Sequence, residues 1–161
     1  MSARPPLSIF REYDIRGTYG RTLSDEGAYW IGRGVAALFL AQGGRCMAVG
    51  RDGRLSSPAL EAALVEGLVA GGVDVALVGL GPSPMLYYAE ASAQQVQGGV
   101  QVTGSHNPAD DNGFKIVFGG RALFGDEIRR IGVLAGEAGV DSGLPRGSIE
   151  RLDLQSAYVE R

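Results

Sequence analysis

The stretch Cys46–Val78 decides the fold class, and its sequence is CMAVGRDGRLSSPALEAALVEGLVAGGVDVALV. The short apolar run Cys46–Val49 predicts a buried strand, and Val73–Val78 predicts another. Between them, Ser57-Pro58 gives an N-cap followed by proline at the first helical position, and Gly71-Gly72 ends the helix. A strand, a helix and a second strand in this order predict a parallel βαβ unit.

The flanking sequence continues this alternation of strands and helices. Apolar spacing predicts helices at Leu23–Gly44, Met85–Ala93 and Asp126–Ala135, and strands at Gly99–Thr103, Phe114–Phe118 and Arg121–Phe124. Ser24 is the predicted N-cap of the first helix, and Gly119-Gly120 is the predicted turn of a hairpin between the last two strands. Together these elements predict a single α/β domain with a mixed, mainly parallel β-sheet sandwiched between helices.

Composition restricts the classes of protein that this chain can represent. Its 161 residues suit one domain, and 15 Lys and Arg against 18 Asp and Glu give a net charge of −3. That balance favours neither nucleic acid nor an anionic membrane as a partner. The lone Cys46 excludes a disulfide framework within the chain. No apolar run approaches the roughly 18 residues of a membrane span, and Met1–Leu7 lacks the apolar core of a secretory signal. We therefore expect a cytoplasmic protein.

The sole lysine and the sole histidine lie in or near the segment that follows the predicted strand Gly99–Thr103. That segment begins Thr103-Gly104-Ser105-His106-Asn107-Pro108, and loops at the carboxyl ends of parallel strands usually bind ligands. Ser105 could be a hydrolase nucleophile, a hydroxyl that binds phosphate, or a serine that is itself phosphorylated and passes the group on. The hydrolase interpretation is poor because the only histidine is the adjacent residue and Gly-x-Ser-x-Gly is absent. Composition alone does not separate the other two.

Lys115 modestly favours the phosphorylated serine. All the other basic residues of the chain are arginines. A guanidinium cannot lose its proton in a protein, whereas a lysine amine can act as a general acid or base. Ile116 and Phe118 alternate, so Lys115 and Val117 are predicted to share one face of their strand. Just before them, Asn112-Gly113 is predicted to form a tight turn.

Two charged segments accompany the Ser105 loop. Arg11–Gly17 contains four charges and a tyrosine near the N-terminus, and Gly50–Arg54 directly follows the first strand of the βαβ unit. If the strands are parallel, Gly50–Arg54 lies at the same sheet edge as Ser105, and Asp52 could orient an arginine there. Converging basic loops beside a serine favour a phosphate site over a site for carbohydrate alone.

Three segments together resemble a known family. Phe10–Gly17 (FREYDIRG), Val49–Pro58 (VGRDGRLSSP) and Thr103–Ile116 (TGSHNPADDNGFKI) are similar, in order and spacing, to the α-D-phosphohexomutase family, specifically its bacterial phosphomannomutase/phosphoglucomutase branch. The resemblance extends from about Ile9 to Arg161. The segment FREYDIRG distinguishes this branch from the phosphoglucosamine mutases, which usually begin with an FGTDG-type motif.

The resemblance implies a reaction and a set of site residues. The family moves a phosphoryl group between O1 and O6 of a phosphorylated hexose through a phosphoserine, with hexose 1,6-bisphosphate as intermediate and activator. It implies that Ser105 is the phosphoserine and a Mg²⁺ ligand through its phosphate. The other implied catalytic residues are Lys115, Arg16 and His106, and substrate or phosphate binding is implied for Tyr13, Thr103, Gly104, Asn107 and Arg54.

The resemblance also implies that other domains of the same enzyme act as partners of this one. Family members have four domains, so we expect residues 1–150 to form domain 1 and residues 151–161 to form a linker and the start of a second domain. The three-aspartate Mg²⁺ loop and the sugar-selecting segment of the family do not occur in this sequence, so we expect the chain alone to be inactive. The alternative is a non-catalytic module that binds a phosphosugar or phosphate, in which Ser105 only donates a hydrogen bond.

Overall fold

The βαβ unit predicted from the sequence forms the middle of a larger sheet. The computed structural model describes residues 4–80, 96–104, 108 and 110–151. The strands are β1 (Ile15–Thr18), β2 (Cys46–Arg51), β3 (Asp74–Leu80), β4 (Gly98–Val102), β5 (Asp111–Phe118), β6 (Arg121–Ala122) and β7 (Ile149–Arg151). The helices are α1 (Asp25–Ala41), α2 (Ser57–Ala70) and α3 (Asp126–Glu137), with a short 3₁₀ helix at Leu7–Ile9.

The strands pair in the order β1-β5-β4-β2-β3-β7, and β6 adds to β5. β2 is parallel to both β3 and β4, and β7 is parallel to β3. Only β5 runs the other way, so that it pairs antiparallel with β1, β4 and β6. The predicted α/β domain with a mixed, mainly parallel sheet is confirmed.

The described helices pack together against one face of the sheet. Alternate β2 residues point to opposite faces, so Met47 and Val49 join the helices in the main core, while Ala48 packs with Ala76 and Val96 on the other face. The predicted helix Met85–Ala93 lies outside the described residues. In the part of the chain that the structure describes, no helix is both long and apolar enough to cross a membrane.

The first two helices begin differently. The Ser24 hydroxyl accepts a hydrogen bond from the Gly27 N–H at 2.9 Å, which confirms Ser24 as the N-cap of α1. The prediction that Ser57 is the N-cap of α2 is wrong, because Ser56 occupies that position and Ser57 is the first helical residue. The Ser57 hydroxyl donates instead to the Asp52 carboxylate.

The hairpin is confirmed, and two strands were not predicted. Gly119 and Gly120 have φ angles of 58° and 79°, and they join Phe118 to Arg121 in the β5–β6 pair. β1 lies in the charged N-terminal segment. β7 includes residues on both sides of the domain boundary that is predicted between residues 150 and 151. The predicted start of a helix at Asp153 lies outside the described residues.

The α1–α2 contact generates a prediction for Gly67→Ala. A Cβ at Gly67 would overlap the carbonyl oxygen of Tyr29 and lie 3.0 Å from the backbone nitrogen of Arg33, both in α1. Since backbone atoms can yield only if the helices separate, we expect a loss of about 1–3 kcal/mol in the free energy of unfolding, larger than the helix-propensity gain of alanine. Urea denaturation measures it.

Gly136→Ala is the matched control, because Gly136 lies in α3 and a Cβ there would meet no atom within 4 Å. Its free energy of unfolding should stay unchanged or rise slightly. Equal effects at the two positions would contradict the close packing of α1 against α2.

Candidate functional site

The carboxyl ends of β2 and β4 bring two predicted site segments together. Arg51 of β2 lies opposite Val102 of β4, and beyond them the Asp52 N–H donates to the Val102 carbonyl at 2.9 Å. The β2–α2 loop therefore lies beside Thr103 and Gly104, as the parallel arrangement predicts. Ser105, His106 and Asn107 follow directly in the sequence but lie outside the described residues.

The carboxylate of Asp52 is the centre of this sheet edge. One oxygen, Oδ1, accepts from the Ser57 hydroxyl and from the Arg54 N–H at 3.1 Å, and the other, Oδ2, accepts from the Gly104 N–H at 3.0 Å. Burial alone would raise the pKa of Asp52, but the hydrogen bonds from Ser57, Gly104, Arg54 and the Thr103 side chain outweigh it and lower that pKa. The carboxylate is therefore held in its charged form.

A buried amide extends the network to the start of β5. The Asn112 side chain is fully buried, and its Nδ2 donates to the hydroxyls of Ser56 and Ser57, each at 2.9 Å. Its Oδ1 accepts from the Gly113 N–H at 2.9 Å. The predicted Asn112-Gly113 turn is wrong, because both residues belong to β5 and pair with β1.

Arg54 reaches from the β2–α2 loop to the other end of the Ser105 loop. Its Nη1 donates to the carbonyl of Pro108 at 2.6 Å and to that of Asp111 at 3.1 Å. Its Nε lies 3.5 Å from the Asp52 carboxylate. Arg54 thus contacts backbone carbonyls that follow Ser105 in the sequence, whereas Gly104 precedes it.

A second group of predicted residues meets in a cavity of about 500 Å³ beside β1 and β5. Phe114 and Ile116 face the helical core, so Lys115 lies on the opposite face of β5, as predicted. Arg16 pairs with Gly113, two residues from Lys115 on that same face. The cavity is lined by Arg11, Glu12, Tyr13, Asp14, Arg16, Lys115, Ile116 and Ala122.

The charges around this cavity suit an anionic ligand. Its lining carries one more basic than acidic side chain, and Asp14 holds Arg16 through a 2.6 Å contact between Oδ2 and Nη2. Tyr13 is 75% exposed at the cavity, so its ring is available to a ligand. The arrangement can bind a phosphate and hold a lysine amine beside it.

The cavity and Thr103, which leads toward Ser105 in the sequence, are close in the sheet. Gly113 lies between Arg16, its partner in β1, and Thr103, whose N–H donates to the Gly113 carbonyl at 2.9 Å. Two strand spacings separate the backbones of Arg16 and Thr103 by about 10 Å. Thr103, Gly104 and Arg54 thus surround Asp52, while Tyr13, Arg16 and Lys115 line the neighbouring cavity.

A family model described as "Phosphoglucomutase/phosphomannomutase, alpha/beta/alpha domain I" matches residues 7–134 of this chain. The chain belongs to this family. The matched range contains the cavity, the Asp52 network and the sequence of the Ser105 loop. The description of an alpha/beta/alpha domain agrees with the predicted sheet between helices.

Relatives of this phosphoglucomutase/phosphomannomutase domain are longer proteins. The phosphomannomutase/phosphoglucomutase of Pseudomonas aeruginosa is 48% identical over 156 residues, which are 97% of this chain and 33% of that protein. The phosphoglucomutase of Neisseria gonorrhoeae is 43% identical over 93% of this chain and 32% of its own length. A solved phosphoglucomutase/phosphomannomutase family protein from Burkholderia thailandensis superimposes with a TM-score of 0.89 at 44% identity, covering 97% of this chain and 35% of that one. The chain spans about a third of the length of these relatives.

Metal-binding side chains do not converge in the described part of this phosphoglucomutase/phosphomannomutase domain. Within residues 4–80, 96–104, 108 and 110–151, no three side chains of His, Cys, Asp or Glu form a group that could hold a metal ion. The described residues therefore do not fit a Mg²⁺ site by themselves.

Sequence reasoning missed three residues that organise this site. Asn112 and Ser57 connect the loops, and Asp14 holds Arg16. A buried polar residue was hard to recognise in Asp-Asp-Asn-Gly, which is also typical of an exposed turn. The available signal was the strand pattern of Phe114–Phe118. Extending this pattern toward the N-terminus would have placed Asn112 in the same strand.

The Asp52 network generates a prediction for the pH dependence of stability. Since the folded-state pKa of Asp52 is lowered, its charge stabilises the fold above the unfolded-state pKa of about 3.9, and this contribution is lost as the pH falls through the folded value. We expect Asp52→Asn to reduce the free energy of unfolding by about 1–3 kcal/mol at pH 7 and by less near pH 3.

Asp126→Asn is the control, because the Asp126 side chain is fully exposed in its contact with Arg129. Its effect on the free energy of unfolding should be small and similar at both pH values. Urea denaturation at the two pH values measures both variants. A loss in Asp52→Asn that is equal at both pH values would contradict the stabilising charge.

Proposed function

We propose that this chain is the N-terminal, catalytic-serine domain of an enzyme that interconverts hexose 1-phosphate and hexose 6-phosphate. Ser105 carries the phosphoryl group between the two positions, and a bisphosphorylated hexose is the intermediate. The observation that carries the proposal is the cavity in which Arg16, Lys115 and Tyr13 meet beside the segment that leads to Ser105. Membership of the phosphoglucomutase/phosphomannomutase family supports the same reaction class.

In the proposed transfer, the bond between phosphorus and the Ser105 oxygen breaks as a bond forms between phosphorus and a sugar hydroxyl. Lys115 acts as the general acid and base of this transfer: the sugar hydroxyl loses its proton as it bonds to phosphorus, and the departing Ser105 oxygen takes up a proton. Arg16 stabilises the charge that develops on the phosphoryl oxygens, and Asp14 fixes its orientation. A phosphate ester suits this role because it is stable until an acceptor is aligned with it.

The remaining predicted residues lie around Ser105 in the sequence or line the cavity. In the proposal, His106 is a catalytic residue next to Ser105. Asn107, Thr103 and Gly104 contact the phosphate or the sugar, and Tyr13 contacts the sugar at the cavity. We further propose that the rest of the enzyme supplies the Mg²⁺ ligands and selects the sugar, and that the protein acts in the cytoplasm with hexose 1,6-bisphosphate as activator. Any Mg²⁺ would join this domain through the phosphate of Ser105.

Intact-mass analysis distinguishes a phosphorylated serine from a module that only binds phosphate. After incubation with hexose 1,6-bisphosphate and Mg²⁺, the full-length protein that contains this chain should show a species about 80 Da heavier. Ser105→Ala should lack this species, and Ser8→Ala, which changes an exposed serine in the N-terminal 3₁₀ helix, should retain it.

A phosphate on another residue, or no added mass in the full-length protein, would contradict the proposal and favour the alternative, a module that only binds phosphate. Labelling of Ser105 by a fluorophosphonate would instead indicate a serine hydrolase.

A coupled assay tests the expected inactivity of the chain alone. Because the described residues provide no metal site, the 161-residue chain should fold yet show no tight Mg²⁺ binding by calorimetry and no hexose phosphate isomerisation. The full-length protein should interconvert hexose 1-phosphate and hexose 6-phosphate. Substantial turnover by the chain alone would refute the expectation that other domains are required.

A further inference from the structure

We infer that Asp52 and Arg54 form a clamp that holds both ends of the Ser105 loop, residues 104–111, and that they are positioning residues for phosphoryl transfer. The clamp itself is argued from contacts between described residues. Only its effect on catalysis rests on the proposed function of Ser105.

Asp52 holds the start of the loop. Its Oδ2 accepts from the backbone N–H of Gly104, the residue directly before Ser105, at 3.0 Å. This bond fixes a backbone atom and not a flexible side chain, so it constrains the direction in which the chain enters the serine. Asp52 itself is anchored through its own N–H to the Val102 carbonyl and through Oδ1 to the Ser57 hydroxyl.

Arg54 holds the end of the loop. A single nitrogen, Nη1, donates to the carbonyls of Pro108 and Asp111, which lie on the other side of Ser105 in the sequence. The guanidinium also packs against Gly104, where an added Cβ would collide with it and would lie 2.7 Å from the Asp111 carbonyl oxygen. The two ends of the loop therefore meet across one arginine side chain, and Gly104 is required for that approach.

The two halves of the clamp support each other. The Asp52 Oδ1 accepts from the Arg54 N–H at 3.1 Å, and the Arg54 Nε lies 3.5 Å from Oδ2, with both side chains at most 24% exposed. Asn112 joins the loop end to the same Ser57 hydroxyl that donates to Asp52. An ion pair embedded in backbone hydrogen bonds is well suited to fix geometry, whereas an exposed pair contributes little.

A clamp of this kind meets a specific requirement of phosphoryl transfer. Ser105 would gain and lose a doubly charged group in each cycle, and transfer needs the oxygen within a few tenths of an ångström of its in-line position. Asp52 and Arg54 have opposite charges, so together they add no net charge beside the phosphate. The clamp therefore controls position and leaves the charge of the site to Arg16 and Lys115.

Hydrogen exchange of the Gly104 amide tests the clamp without reference to activity. Asp52→Asn weakens the acceptor of that N–H, and Arg54→Lys keeps the charge but cannot reproduce the fork of the guanidinium. We expect the Gly104 amide to exchange at least about tenfold faster in either variant, while amides in the middle of β2 change much less. Arg146→Lys is the control, because Arg146 also pairs with a carboxylate, Glu66, but the pair lies on the other half of α2.

If Asp52→Asn fails to fold, Arg54→Lys still decides the result. Gly104 exchange that is unchanged in folded Arg54→Lys, or equally accelerated in Arg146→Lys, would overturn the clamp.

Kinetics of the full-length protein test the positioning role. Arg54→Lys should lower kcat at least about tenfold with KM changed less than about twofold, and Arg54→Met should be lower still, since Lys retains one donor. An increase in KM with kcat unchanged would overturn the role and assign Arg54 to substrate phosphate instead. If the unmodified full-length protein has no mutase activity, the proposed function fails, while the exchange experiment still decides the clamp.

Discussion

The carboxylate of Asp52 lies where the end of β2, the segment after β4 and the start of α2 meet. Each of these elements has polar backbone or side-chain groups that the sheet and the helix leave without a partner, and Asp52 accepts hydrogen bonds from all three regions. A neutral side chain of the same size could not attract the donors as strongly, because hydrogen bonds to a charged acceptor are about twice as strong. This one charge therefore connects the loop after β2, the backbone of Gly104 and the first turn of α2.

The direction of β5 determines where the second half of the site lies. Because β5 runs antiparallel to β4, the chain that leaves the Ser105 loop returns beside the strand that led into it. Lys115 therefore lies on β5 within the sheet, and β1 pairs with the outer side of β5, so that Arg16 shares its face. Residues nearly a hundred positions apart in sequence thus line one cavity, on the sheet face away from the described helices.

The sequence predicted a larger part of the fold than of the candidate site. The βαβ unit, the hairpin and α1 each depend on local signals: apolar periodicity, Ser24 as a cap and two glycines in a turn. β1 was missed because it is four residues long and follows a run of charges, and it is a strand only because β5 offers it an edge. β7 was missed for the same reason, since its three exposed residues gain their structure by pairing with β3.

The sequence by itself determined the α/β class, the family resemblance and the residue types of the site, because these depend on local periodicity and on short ordered motifs. Arg16, Lys115 and Arg54 were predicted as site residues in this way. Only the tertiary structure decided three other features. Arg54 contacts loop carbonyls, the Ser57 hydroxyl donates to Asp52 and does not cap the helix, and Asn112 is buried. The physical reason is that the hydrogen bonds of Arg54 and Asn112 join segments more than 50 residues apart in sequence, and that the Ser57 hydroxyl meets its acceptor only once the β2–α2 loop has folded.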